Sequence, residues 1–307
     1  MDYRIEPGSD LTDADLTGLD LVGVDLTGAD LTSAKLSGMD LRGTNFSKAI
    51  LEGTTLSNAN LTGANLSEAQ VIGISLSGAT LFDADFSNVD FRETEIYDVD
   101  FTRAILIGAM FSGMDIGSHG LTYPTDFDPR PWLRFSGANL DGAHFEFCSL
   151  SLCSFRSATL KGANFKGSTF DHVVFYEANL TGANFSRAKI DESVSFGEAI
   201  LDGVDFSDSV LKKAWFEKQS LRSANFTRTQ LIDGRFRECD LSFAYFSFAD
   251  LTDANMTGAV FSGTSLNGAK LNGARLDFDP HARHRPTLKG KVEKWRQRGP
   301  SDGAVSS

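Results

Sequence analysis

The chain has 307 residues, of which 41% are hydrophobic and 23% charged, and its formal net charge is −12. No apolar run approaches the roughly 20 residues needed to cross a bilayer. The N-terminus lacks the basic and apolar segments of a signal peptide. Three cysteines are too few for a disulfide framework in a chain of this length. Length and composition therefore predict a soluble, cytoplasmic protein of one or two domains.

An apolar residue recurs at every fifth position along almost the whole chain. These apolar positions, here called centres, run from 11 to 116, from 135 to 190 and from 196 to 276, and all 51 are Leu, Phe, Ile, Val or Met. Neither a helix nor an ordinary strand has a period of five. A small residue usually stands two places before a centre, Asp or Asn directly before it, and Gly often two places after it. The fixed period predicts a solenoid in which each unit packs only on its neighbours.

The recurring pattern A-[D/N]-[L/F]-x-x, as in "ADLTG", "ANLSE", "ANFSR" and "ADLTD", resembles the pentapeptide repeat family. The resemblance covers residues 9–278 and implies an all-β fold, a right-handed quadrilateral β-helix with four repeats per coil. Coils stacked at roughly 4.8 Å, the spacing of neighbouring strands, would give about 13 coils and a rod about 60 Å long. Family members that protect DNA gyrase and topoisomerase IV from quinolones resemble duplex DNA in shape and charge.

Residues 1–121 are predicted to form an acidic N-terminal β-helix segment. Residues 1–120 carry a net charge of −13, whereas residues 121–280 carry −4. Asp can occupy the position before a centre merely because it bonds local backbone, but that does not explain the excess in one segment. About 26 Å of rod would hold this charge, and B-DNA of that length carries about 15 charges. The predicted DNA-mimic surface comprises Asp10, Asp15, Asp20, Asp25, Asp30, Asp40, Asp85, Asp90, Glu95 and Asp100.

The period is interrupted by "GSHGLTYPTDFDPRPWLR", residues 117–134, of which 122–134 are predicted to form a loop or a connector. Aromatic and arginine side chains anchor interfaces, and prolines stiffen a loop. One interpretation is a partner-binding loop that projects from the coil. The other is a packed connector between two stretches of the β-helix, here called the tower. The residues concerned are Tyr123, Phe127, Arg130, Trp132 and Arg134.

Residues 135–278 are predicted to form a second β-helix segment, followed by a basic tail, 279–307. Exposed aromatic clusters can mark interfaces, and Phe243, Tyr245 and Phe248 are expected to face outward, as is Trp215 beside three lysines. They could equally lie under the tail. In the tail, Leu288, Val292 and Trp295 are spaced as one face of a short helix. The helix would be followed by disorder and would cap the open end of the tower or contribute to a homodimer contact at this end, as in the gyrase-protecting members.

No metalloprotease, nucleophile-elbow, phosphate-loop or dinucleotide motif occurs in the sequence. Cys148, Cys153 and Cys239 occupy the small inward position and are expected to fill space. The sequence thus predicts a non-enzymatic protein-binding β-helix without metal or cofactor, and with no direct contact to nucleic acid or membrane. The partner would be DNA gyrase or topoisomerase IV if the acidic segment mimics DNA. The alternative is a general interaction scaffold, such as an immunity or regulatory factor with another partner.

Overall fold

The computed structural model describes residues 4–96, 99–116 and 133–277, which form one continuous four-sided parallel β-helix. Parallel β-bridges join residues 20 positions apart, for example Asp10 to Asp30 and Asn45 to Asn65. Each five-residue repeat therefore makes one side, and four repeats make a coil. We call the sides A, B, C and D, starting from the centres Leu11, Leu16, Leu21 and Leu26 respectively.

The corners explain the five-residue unit. The residue two places after a centre adopts a positive φ, 55° at Asp13 and 64° at Gly28, a conformation that glycine tolerates best. The turn is closed when the next inward small residue donates its N–H to the preceding centre, as Ala14 does to the Leu11 carbonyl at 3.1 Å. The remaining backbone groups bond to the coils above and below, as Leu11 N–H does to the Asp30 carbonyl at 2.7 Å.

Six strands of two or three residues occur where the pairing between coils extends beyond a single bridge. They are β1 Asp115–Ile116, β2 Leu133–Arg134, β3 Ser149–Ser151, β4 Cys153–Ser154, β5 Thr169–Asp171 and β6 Lys189–Ile190. All pairings are parallel, in the order β1-β3-β5-β6 in one sheet and β2-β4 in the other. Nowhere in the described ranges is there a helix with the length and hydropathy needed to span a membrane.

The core changes from leucine to phenylalanine along the tower. Centres of the first two coils are leucine except Phe46, and all are fully buried. From Phe91 onward, two columns of phenylalanine rings fill sides A and C, with centroids of successive rings 4.7–5.5 Å apart within a column. Rings of opposite columns meet edge to face, as Phe145 and Phe155 do at 5.7 Å. These are the favoured geometries of aromatic pairs.

The tower continues across the interruption of the repeat. Asp100 bridges to Arg134 and Ile105 to Asn139, an offset of 34 residues, which is one coil plus 14. The Phe101 and Phe135 rings stack at 5.4 Å across the same gap. Farther on, Val174 bridges to Ser195, so one coil accommodates a single extra residue near residue 191. The two predicted β-helix segments are therefore paired directly with each other.

The two ends of the described tower differ in burial. Leu11 and Leu16 at the N-terminal end are almost fully buried, whereas Leu266, Leu271 and Leu276 at the C-terminal end are only partly buried. The helix predicted in the tail, with Leu288, Val292 and Trp295, lies outside the described residues.

Candidate functional site

The predicted acidic residues have a local structural role. Nine of the carboxylates accept a hydrogen bond from the backbone N–H two residues later, as Asp25 does from Thr27 at 3.0 Å. Such Asx-type bonds stabilise the turn that follows. The nine residues are Asp10, Asp15, Asp20, Asp25, Asp30, Asp40, Asp85, Asp90 and Asp100.

Asparagine makes the same bond elsewhere in the tower. Asn45 accepts from Ser47 N–H at 3.1 Å and Asn164 from Lys166 N–H at 3.2 Å. Before the 22 centres from 11 to 116, Asp occurs ten times and Asn three times; before the 29 later centres, Asp occurs three times and Asn six times. Backbone bonding accounts for Asp or Asn at this position. It does not account for the preference for the charged residue in the first part of the chain.

Hydrogen bonds favour the ionised form of Asp10, Asp15, Asp25, Asp40 and Asp90, because they lower the pKa of each carboxyl. The Thr27 hydroxyl donates to Asp25 at 2.5 Å and, together with the Thr27 N–H, lowers the pKa of that carboxyl. Side-chain and backbone hydrogen bonds from Thr12 likewise lower the pKa of Asp10. At Asp90 the Arg92 guanidinium is the main donor, and it lowers the carboxyl pKa. These five carboxylates therefore stay charged to a lower pH than an ordinary aspartate does.

The acid is concentrated in two rings. Asp10, Asp15, Asp20 and Asp25 place one carboxylate on each side of the first coil, residues 9–28, which carries a net charge of −5. Asp85, Asp90, Glu95 and Asp100 form a second ring four coils later. Between them, the eight positions before centres 46–81 carry no charge, and residues 29–48 are net +1. The charge is thus not spread evenly along the rod.

Ion pairs neutralise some of the predicted acidic residues. Asp40 pairs with Arg42 at 2.7 Å and Asp90 with Arg92 at 2.6 Å, while Asp15 lies 3.8 Å from the Lys35 ammonium. Six of the predicted carboxylates form no ion pair with any residue of the described ranges; they are Asp10, Asp20, Asp25, Asp30, Asp85 and Glu95. The first coil therefore has the larger uncompensated charge.

Arg134 belongs to the tower and not to a loop. It lies in β2 on side C and pairs with Asp100 at 2.9 Å. Leu133 fills the small inward position of the same repeat and is buried, so the coil resumes two residues before its first clear centre, Phe135. The other residues predicted for this segment, namely Tyr123, Phe127, Arg130 and Trp132, lie outside the described residues.

The three aromatic side chains near the C-terminal end form one row. Phe243 is 50%, Tyr245 53% and Phe248 67% exposed, and all lie around side A of a single coil. Phe243 and Phe248 occupy the two corners, where their rings lie over Gly263 and Gly268 of the next coil. Trp215, on side C, faces the opposite direction.

The cysteines are buried within the core. The Cys239 thiol donates to the Phe216 carbonyl at 2.7 Å, and the Cys148 thiol to the Phe111 carbonyl at 3.0 Å. Burial raises the pKa of both thiols to about 12, so neither is a nucleophile at neutral pH. The hydroxyls of Thr44 and Thr229 use the same small position and the same carbonyl bond.

Three solved structures illustrate what this chain is similar to. HetL of the cyanobacterium Nostoc sp. strain PCC 7120, a pentapeptide repeat protein involved in heterocyst differentiation regulation, is 24% identical, with 80% of this chain and 89% of HetL covered and a TM-score of 0.27. A trypsin-treated variant of QnrB1, a plasmid-mediated fluoroquinolone resistance protein, is 22% identical, with 72% and 90% covered and a TM-score of 0.28. A pentapeptide repeat protein of the Arabidopsis thaliana thylakoid lumen is 29% identical, with 38% and 68% covered and a TM-score of 0.20.

Curated protein sequences gave no match. Family models give the wider evidence, because together they span most of the tower. The model described as "Pentapeptide repeat region" matches residues 133–206. The model described as "Pentapeptide repeats (8 copies)" matches residues 9–47, 40–78, 84–116, 199–237 and 239–277. The chain therefore belongs to the pentapeptide repeat family, whose fold is the right-handed quadrilateral β-helix.

Proposed function

We propose that this protein binds another protein through its acidic N-terminal coils, which take the place of DNA on a basic surface such as that of DNA gyrase or topoisomerase IV. One observation carries the proposal. At the position before each centre, Asp and Asn make the same hydrogen bond, yet Asp is strongly preferred over Asn only in the first part of the tower. The charge is thus in excess of what the fold needs, which points to a partner that responds to charge.

The magnitude suits such a partner. B-DNA has one charge per roughly 1.7 Å of axis, or about three per 4.8 Å coil. The first coil, with −5, exceeds that density, and the mean over residues 1–120 is close to it. Because residues 29–48 carry +1, contact is expected at the first coil and at the ring around Asp90, about 19 Å apart along the rod. Electrostatic complementarity of this kind raises association rates and makes binding sensitive to salt.

A gyrase supercoiling assay, titrated with this protein in the presence and absence of a fluoroquinolone, tests the proposal. We expect supercoiling to survive quinolone concentrations that stop the enzyme alone, and excess protein to compete with DNA. A matched variant, in which Asp10, Asp20, Asp25 and Asp30 are changed to Asn, should lose the effect without losing the fold. If the protein affects neither gyrase nor topoisomerase IV and binds neither enzyme at low salt, both are excluded as partners.

A general interaction scaffold, such as an immunity or regulatory factor, is the second candidate. The aromatic row Phe243, Tyr245 and Phe248 favours it, because exposed aromatic side chains anchor interfaces. The same row would also serve a homodimer at the C-terminal end. Sedimentation of the parent and of the Tyr245→Ala variant at micromolar concentration separates these roles. A dimer that dissociates in the variant supports self-association, and a monomer in both cases assigns the row to a different partner.

A further inference from the structure

A groove on side C near the C-terminal end has a composition that neither the acidic coils nor the aromatic row shares. Its floor is the column of outward residues Trp215, Arg235, Asn255 and Arg275, joined in register by successive parallel bridges. The column covers three coil spacings, or about 14 Å. Asp233 and Asp253, at the corner between sides B and C, form one wall.

Trp215 is 60% exposed at a position where the tower usually has Asp, Asn, Ser or Thr. Its side chain points outward, away from the phenylalanine columns. The Arg235 guanidinium lies over the indole, 5.4 Å from the ring centroid. This cation–π contact holds an aromatic face and a guanidinium together at the surface. Trp and Arg are the residues most enriched at energetically dominant interface positions.

The arginines of the floor lack carboxylate partners among the described residues. Arg237, on the same side and only two residues from Arg235, pairs with Glu238 at 3.0 Å, and Lys213 at the groove edge pairs with Glu192 at 2.9 Å. Arg235 and Arg275 form no ion pair within the described ranges, and the same is true of the wall residues Asp233 and Asp253. Among the described residues, the groove therefore has two arginines and three acidic residues, Asp233, Asp253 and Glu217, without an ion-pair partner.

We propose that this groove binds an extended, mixed-charge peptide segment of a partner protein. An aromatic or aliphatic side chain of the segment stacks on Trp215, acidic side chains reach Arg235 and Arg275, and a basic side chain reaches Asp233 or Asp253. Four residues of extended chain match the 14 Å length, at about 3.3 Å per residue. A nucleic acid fits less well, because its phosphates would meet the wall carboxylates and the −12 charge of the chain. This site is independent of the proposed contact through the acidic coils.

A random dodecapeptide phage library tests the assignment. The full chain is the bait, and a folded Trp215→Ala, Arg235→Gln, Arg275→Gln variant removes peptides that bind elsewhere. We expect an enriched consensus that joins an aromatic or aliphatic residue to at least two acidic residues within about four positions. No enrichment over the variant, or a consensus that is basic and lacks acid, as the chain's own 279–307 segment would be, overturns the proposal.

Solution binding of the enriched peptide gives the quantitative test. The chain has three tryptophans, so changing Trp132 and Trp295 to Phe leaves Trp215 as the sole reporter, and the peptide should alter its fluorescence saturably. Arg235→Gln and Arg275→Gln should each weaken binding about fivefold, while the matched control Arg237→Gln should change it less than about twofold. Equal losses in all three, or tighter Trp215-dependent binding of oligo(dT) than of the peptide, would refute peptide recognition at this groove. Circular dichroism melts confirm that every variant is folded.

Discussion

Replacing Phe165 by Ala should test the core of the tower most severely. The Phe165 ring is fully buried and stacks between Phe145 at 4.9 Å and Phe185 at 4.8 Å. It also meets Phe155 and Phe175 of the opposite column edge to face, at 6.0 and 5.9 Å. The space left by the ring cannot close, because the backbone around it is fixed by bonds between coils. We therefore expect a loss near the upper end of the roughly 3–5 kcal/mol typical of Phe→Ala in cores.

Two controls separate volume from mere substitution. Phe165→Leu keeps most of the volume, and Leu11, Leu31 and Leu51 already occupy the same column, so its cost should stay below about 1.5 kcal/mol. Lys161→Ala changes an exposed side chain in the same coil and should stay within about 0.5 kcal/mol. Urea unfolding followed by circular dichroism gives the free energies. A Phe165→Ala value indistinguishable from that of Lys161→Ala would show that the centres do not form the core.

The remaining predictions concern the interruption, a corner and the thiols. Deleting residues 119–132 removes 14 residues and restores a 20-residue coil, because it leaves "IGSLRF", a regular repeat. Circular dichroism should show a soluble, folded tower, and an unfolded product would contradict the prediction. Gly167→Ala should lower the free energy of unfolding in urea by at least about 1–2 kcal/mol, because Gly167 has a positive φ. An added Cβ would also lie 2.7 Å from the Phe147 ring, so adding Phe147→Ala to the Gly167→Ala variant should recover part of the loss. Thiol titration at pH 8 should find Cys148 and Cys239 unreactive until urea unfolds the chain, and rapid native labelling would refute their burial.

The fold could be predicted from the sequence because a five-residue period leaves few alternatives. The spacing of the centres predicts sides of five residues, and the family resemblance supplies four sides to a coil; the bridge from Asp10 to Asp30 agrees with both. The continuity of the tower across residues 117–132 could not be read in the same way. Leu133 is a large residue at a position that is usually small, so the sequence pattern placed the start of the later segment at 135.

The candidate sites were predictable only in part. Sequence spacing placed the acidic residues outward, but not the pairing of Asp100 with Arg134, since their offset of 34 residues depends on the length of the interruption. The column from Trp215 to Arg275 was also missed. Its signal is present as outward residues 20 apart, but Trp, Arg, Asn and Arg share no residue type that would draw attention to the column.

The most direct test of the account is the salt dependence of binding to gyrase by two variants of equal charge change. In one, Asp10, Asp20, Asp25 and Asp30 become Asn; in the other, Asp141, Asp191, Asp202 and Asp205 of the later coils become Asn. Asn can retain the Asx-type bonds, as Asn45 and Asn164 show, so the first set should melt close to the parent. We predict that the first set weakens binding and flattens its dependence on salt, because exposed charges act through screened fields, while the second set binds like the parent. Equal binding by both sets would show that the acidic coils are not the contact.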